Sequence, residues 1–264
     1  GDLLVGSSRQ RLRVAFETAA GQVVLPGAGC RSSACREHRR YAAALSETAS
    51  DINADGGPVQ EGRRLADGAA SRDSISVGLG SLDLGEGLVT GDLVREELCL
   101  PDHGRRLACA HMGLVAAAEM TDEPFRAMPH DGIIGLGLAG LTIGPMFSIH
   151  GRLSTALGQP PLRQSFSILL GRNGGEISFG GFRPERLAAP LAWVPVVRPE
   201  EGYWQVRIRA VRAGNRTVDA CEGSCRGIVD TGVVGLGVPS ELLSPMRAAL
   251  AGGAGGPPSC GGEG

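Results

Sequence analysis

Gly227-Ile228-Val229-Asp230-Thr231-Gly232 constrains this chain more than any other stretch. Two apolar β-formers run into Asp-Thr-Gly, the pattern of a buried strand entering a tight loop with a carboxylate at its mouth. Threonine can hydrogen-bond across such a turn, and glycine lets the backbone come close to the carboxylate. An altered copy lies near the start, Val14-Ala15-Phe16-Glu17-Thr18-Ala19. Each copy has a proline nine residues after its acid, Pro26 and Pro239. A duplicated acid-Thr-small loop predicts two lobes meeting at a pair of carboxylates, the arrangement that lets two acids share one proton.

The rest of the composition agrees with a core-bearing β protein. The chain has 264 residues, of which 42% are hydrophobic, enough for one large domain or two smaller ones. Its 42 glycines point to many tight turns. No apolar run reaches the ~18 residues of a membrane span. A formal charge of −2 and 4% aromatic residues give no reason to expect nucleic acid as a partner.

The seven cysteines fall as close pairs, Cys30/Cys35, Cys99/Cys109 and Cys221/Cys225, with Cys260 left over. Short disulfide-closed loops of this kind suit a secreted chain. Zinc is the rival reading, because His38 follows Cys35 by three, but no pair has knuckle spacing. No metal and no cofactor are expected. Asn215-Arg216-Thr217 is a glycosylation acceptor if the chain enters the secretory path. Gly135-Leu136-Gly137-Leu138-Ala139-Gly140 meets the glycine pattern of dinucleotide sites, yet no acid lies at the ribose position and no βαβ unit surrounds it. The five histidines show no ligand spacing, and His130 reads as a surface or partly satisfied residue. The basic run Arg36, Arg39, Arg40 reads as a solvated loop.

Along the chain, alternation predicts a hairpin over 3–6 and 11–16 and a short strand over Gln22 to Pro26. Residues 36–73 are polar and read as surface loops. Strands are expected at Ile75 to Val77, Leu88 to Leu100 and 107–118, then a buried strand at Asp131 to Gly137. Pro145 to Leu157 predicts a short helix, and Phe166 to Leu170 with Glu176 to Phe179 a hairpin. Trp193 to Val197 and Tyr203 to Arg212 read as strands. Ser240 to Leu250 reads as a helix capped by Ser240, with Leu242, Leu243, Met246 and Leu250 on one face.

Taken in order, these segments resemble the pepsin-like aspartic peptidases over nearly the whole chain. Phe16-Glu17-Thr18-Ala19 stands where the first Asp-Thr-Gly belongs, and Cys30 to Cys35 with His38 and Tyr41 matches the first disulfide loop. Gly85-Glu86-Gly87-Leu88-Val89-Thr90-Gly91 resembles the flap hairpin. Asp131 to Gly137 is similar to the segment that crosses behind the first acid. Gly175 to Gly181, Trp193 to Val196, Tyr203 to Val206, Cys221 to Cys225 and Gly227 to Gly232 follow. Met120 to Arg126 resembles protist members.

The resemblance implies an all-β, bilobal fold with the second lobe incomplete, a first lobe over 1–190 with the flap, and part of a second over 191–264. It implies a monomer acting on a polypeptide, by a water held between Glu17 and Asp230. Thr18, Thr231, Gly232, Gly85, Glu86 and Gly87 would contact the substrate. Location would be the secretory path, in a vacuole, a lysosome or outside the cell. Only 32 residues follow Gly232, so the chain is expected to be a fragment.

The departures gather at the centre. Glu17 replaces Asp, pushing the carboxylate about 1.5 Å further, where productive placement tolerates roughly 0.5 Å. Ala19 replaces Gly, and Ala20 and Val233 replace the hydroxyls that follow each loop. Leu84 stands where the flap Tyr belongs, and Val24 where its supporting Trp belongs. These changes predict a weak or inactive peptidase. The alternative is a cleft that binds a polypeptide or partner enzyme without cutting it.

Overall fold

The computed structural model describes residues 1–60, 73–81, 85–101, 107–156, 165–171, 174–213, 216–219, 221, 223, 225–233 and 235–251. Leu84, Asn215 and Cys260 lie outside the described residues.

Period-two alternation builds the first half. β1 (Asp2–Val5) and β2 (Gln10–Glu17) form an antiparallel hairpin with Leu3 opposite Leu12. Leu3, Val5, Leu12 and Val14 point inward, and Arg11 and Arg13 point out. Gly6, with φ of 76°, opens the turn between them. β3 (Val23–Pro26) is buried at every position, as its unbroken apolar run requires. Helix α1 (Ser33–Glu37) follows inside the Cys30–Cys35 disulfide.

Next come β4 (Ser50–Asp51), β5 (Ser74–Ser81), β6 (Gly85–Pro101), β7 (Leu107–Met120) and β8 (Gly132–Gly135). The eight strands join in one sheet, ordered β1-β2-β8-β3-β7-β6-β4 with β5 on β6. Pairing of Leu4 with Cys99 and of Val5 with Leu98 brings β1 back onto β6 and curls the sheet on itself. The Cys99–Cys109 disulfide ties β6 to β7 across directly opposed positions. Two clusters fill the interior: Val24, Leu93, Val115, Ile133 and Phe147 in one, and Leu12, Val14, Leu25, Leu114 and Ile134 in the other.

The polar stretch 36–73 is more than a surface loop. Tyr41 and Ile52 are each 1% exposed. The Tyr41 hydroxyl donates to Glu96 Oε2 at 2.8 Å, and Thr48 also donates to that carboxylate. A buried acid is tolerable because its oxygens are met by donors, and those donors come from a segment whose composition looked solvated.

Helix α2 (Ile149–Ala156) follows a single tight turn at Pro145–Phe147. The hairpin of β9 (Phe166–Gly171) and β10 (Gly174–Phe179) packs Phe166, Ile168, Ile177 and Phe179 on the core of the first half. Beyond it the strands are short: β11 (Gln205–Arg207), β12 (Val211–Ala213), β13 (Arg216–Asp219) and β14 (Arg226–Ile228). β11 pairs with β14, and β12 with β13. The third disulfide joins Cys221 to Cys225.

Here the structure corrects the sequence reading. Trp193 to Val197 forms no strand, and Trp193 is 78% exposed. Tyr203 to Arg212 is broken into β11 and the start of β12. Alternation alone does not hold a strand where no neighbour supplies a ladder along its length. Helix α3 (Ser240–Ala251) buries Met246 and Ala249, whereas Leu243 and Leu250 stay exposed. No helix among the described residues is long and apolar enough to cross a membrane.

Candidate active site

The first acid is placed by its strand partner. β2 runs parallel to β8, with Glu17 opposite Gly135. The Glu17 carbonyl accepts from the N–H of Leu136 at 2.8 Å, and the Ala20 carbonyl from the N–H of Gly137 at 2.8 Å. A Cβ on Gly135 would lie 2.6 Å from the Ala20 oxygen and the Gln22 nitrogen, so the loop after Glu17 closes directly on β8. The glycine run that mimics a dinucleotide fingerprint therefore serves backbone packing behind the acid.

The second acid leaves β14 through Val229, whose N–H donates to the Trp204 carbonyl at 3.0 Å. Asp230 Oδ1 accepts from the N–H of Gly232 at 2.8 Å, which closes the turn.

The two loops are bonded to each other with near two-fold reciprocity. The N–H of Thr18 donates to Thr231 Oγ1 at 3.2 Å, and the N–H of Thr231 donates to Thr18 Oγ1 at 3.1 Å. In turn Thr18 Oγ1 donates to the Val229 carbonyl at 2.7 Å, and Thr231 Oγ1 to the Phe16 carbonyl at 2.6 Å. Each hydroxyl gives its proton to the strand of the other half and takes one from the other loop. Both are thereby committed to the lock. The sequence suggested a bond across each threonine's own turn; a bond between turns is visible only once both loops are in place.

The lock brings the acids together. A point one carbon out from Gly232 lies 3.2 Å from Glu17 Cδ and 3.3 Å from Asp230 Oδ1. Burial, and after it the nearby Asp230 carboxylate, pushes Glu17 up to about 7. No hydrogen bond from the described residues reaches the Glu17 carboxyl, in keeping with Ala20 and Val233 standing where hydroxyls would serve. Two acids at one point, one disfavoured as an anion, can hold one proton between them and orient a water.

The backbone of Gly85, Glu86 and Gly87 opens β6, opposite Ser81, Gly80 and Leu79. Gly87 is closed in by the Pro124 and Phe125 side chains, which a Cβ would meet at 2.6 and 2.4 Å. Val24 is buried in the core at 2% exposure. His130 is half-buried, and burial lowers its pKa. His38 Nε2 lies 2.8 Å from the Phe125 carbonyl oxygen. The paired sulfurs of all three disulfides leave no thiolate at those positions for zinc.

Comparison with known proteins gives the family. The family model described as eukaryotic aspartyl protease matches residues 1–84 and 80–255. Cathepsin E-A of Xenopus laevis is 30% identical over 256 residues, covering 94% of this chain and 55% of that protein. Phytepsin of Hordeum vulgare is 29% identical over 257 residues, covering 94% of this chain and 44% of that protein. Cathepsin E of Rattus norvegicus is 28% identical over 261 residues, with 95% and 56% covered. The chain spans about half the length of the curated relatives it matches. Matched across almost its whole length, and folded so that its two acid loops grip each other, the chain belongs to the eukaryotic aspartyl protease family.

Proposed function

We propose that Glu17 and Asp230 form a peptide-hydrolysing pair whose turnover in this chain is slow or lost. The observation that carries this reading is the reciprocal threonine lock, which presents both carboxyls beside Gly232. Glu17, disfavoured as an anion by burial, holds the shared proton and polarises the scissile carbonyl. Asp230, its Oδ1 bonded to an N–H, takes the proton of the attacking water. The hairpin at Gly85–Gly87 covers the bound peptide in this reading.

The slowness follows from reach and support. The longer side chain carries its carboxyl past the position an aspartate would take, and no hydroxyl orients it. The same absence favours a second reading: a cleft that holds a polypeptide without cutting it.

The chain is read as two lobes, 1–190 and 191–264. Support comes from the eight-stranded sheet, built from residues before 136, and from β11 to β14, which among the described residues pair with one another. Three disulfides suit an oxidising compartment, a vacuole, a lysosome or the extracellular space.

A peptide-cleavage assay at acid pH, with and without a statin-type inhibitor, tests the reading. Glu17→Asp is expected to raise the rate at least about tenfold, and Asp230→Asn to lower any rate by about a hundredfold. Inhibitor-sensitive cleavage that survives Asp230→Asn would remove the pair from the chemistry. Saturable peptide binding with no turnover in either the parent or Glu17→Asp would favour the binding cleft.

A further inference from the structure

The outward face of β2 carries Arg11 and Arg13 at alternating positions, and Arg9 stands in the turn just before the strand; all three are exposed. Like charges on one strand face repel unless something answers them. Arg9 is answered by Glu97 Oε2 at 3.0 Å, and Arg11 by Asp2. The Arg13 guanidinium makes no hydrogen bond and no close ion pair among the described residues, although its charge helps to hold the Asp2 carboxyl below the usual carboxylate range, after the larger effect of Arg11. Arg39 arrives from the loop after α1, and among the described residues its Nη1 donates to the Arg11 carbonyl, at 3.5 Å.

Arg13 and Arg39 are held side by side by Asp131. Its Oδ2 accepts from the N–H of Arg13 at 2.7 Å and its Oδ1 from the N–H of Arg39 at 3.0 Å. The two chain segments therefore start from opposite oxygens of one carboxylate. The Asp131 side chain is 11% exposed and turned onto backbone N–H groups. Arg11, Arg13 and Arg39 line a concavity of about 360 Å³ with Asp2, Pro129 and Asp131. Three guanidiniums thus meet two carboxylates, one already paired with Arg11 and the other occupied by two backbone N–H groups, with His38 Nδ1 3.9 Å from its Oδ1. The concavity shares no residue with the two acid loops.

We propose that this concavity binds a tetrahedral oxyanion of the phosphate or sulfate class between Arg13 and Arg39. Each guanidinium offers a planar fork of donors matched to tetrahedral oxyanions. The Asp131 clamp fixes the roots of the two side chains, so less freedom is lost on binding.

The 264-residue chain is titrated by calorimetry with sodium phosphate and, separately, sodium sulfate, against sodium chloride at matched ionic strength. Saturable one-to-one binding of at least one of the two is expected, absent with chloride, and the two arms say which anion the site prefers. Arg13→Gln and Arg39→Gln are each expected to weaken it at least about tenfold, with Arg13→Lys retaining part of it. Arg9→Gln removes the same charge from the neighbouring turn, outside the concavity, and is expected to change affinity less than about twofold. Equal weakening by Arg9→Gln and Arg13→Gln would mean a diffuse field and overturn the site, as would phosphate and sulfate binding no better than chloride. Unchanged melting temperatures and far-UV spectra of the variants separate lost binding from lost folding.

Discussion

Glu17 stands at the end of a strand that delivers it into a cramped, partly dry place beside a second carboxylate. Its folded value near 7 against an ordinary 4.5 has a definite consequence for stability. Below pH 4.5 the residue is protonated folded or unfolded, and nothing is lost. As pH rises from there through 7, the unfolded chain releases the proton first, so folding is progressively disfavoured; above 7 the loss is complete. Glu17→Gln keeps the shape and never ionises. Its stability relative to the parent is therefore expected to improve between pH 4 and pH 8, by on the order of 1–3 kcal/mol. Urea melts of both proteins across that range check this, and an offset independent of pH would mean that Glu17 is solvated like any surface acid. Asp230 differs from Glu17 in its immediate setting: its own loop gives it an N–H at 2.8 Å.

β8 is the element on which the first acid loop rests. It carries glycine at both ends, Gly132 and Gly135, and each faces backbone where a Cβ would fit only by moving the chain. At Gly135 the intruding atom would meet the Ala20 oxygen and the Gln22 nitrogen at 2.6 Å, and neither can rotate away. Gly135→Ala is expected to destabilise the fold by about 1–3 kcal/mol and to displace the loop holding Glu17. Gly78 in β5 is the matched control, since a Cβ there meets nothing within 4 Å. Gly78→Ala is expected to stay within about 0.5 kcal/mol of the parent. Thermal melts of the two variants give the comparison, and equal effects would show that close approach at β8 is not what the glycine serves.

At the scale of the whole molecule, the halves meet through polar bonds of long reach. Trp204 Nε1 donates to the Leu136 carbonyl at 2.9 Å, and the N–H of Leu138 to the Gly202 carbonyl at 2.8 Å. The threonine lock adds four more bonds at the site itself. Removing one hydroxyl strands a donor and an acceptor in the opposite half. Thr18→Val and Thr231→Val are each expected to cost about 1–3 kcal/mol. The double variant is expected to cost less than the sum, because losing either hydroxyl loosens the approach of the two loops on which the other hydroxyl's bonds depend. A double-mutant cycle by urea unfolding measures this; strict additivity would mean that the two loops act independently and the lock is only proximity.

Alternation and turn residues alone locate β1 to β3, the hairpin of β9 and β10 and the loops carrying Glu17 and Asp230, because those signals are local: side chains switch faces every residue and glycine or proline marks each stop. Cysteine spacing likewise foretells each disulfide, since each closes a short loop. Position in space decides the rest. Trp193 to Val197 reads as a strand and is not one, for want of a neighbouring ladder. Tyr41 looks solvated and lies in the core, because the acid it satisfies sits 55 residues away. The threonine lock joins positions 213 apart, and the Arg13–Arg39 clamp depends on a carboxylate 118 and 92 residues distant. Sequence dictates which groups are available and which way each strand turns them; only the packed chain brings distant groups within hydrogen-bonding range, where directional bonds select one partner from many.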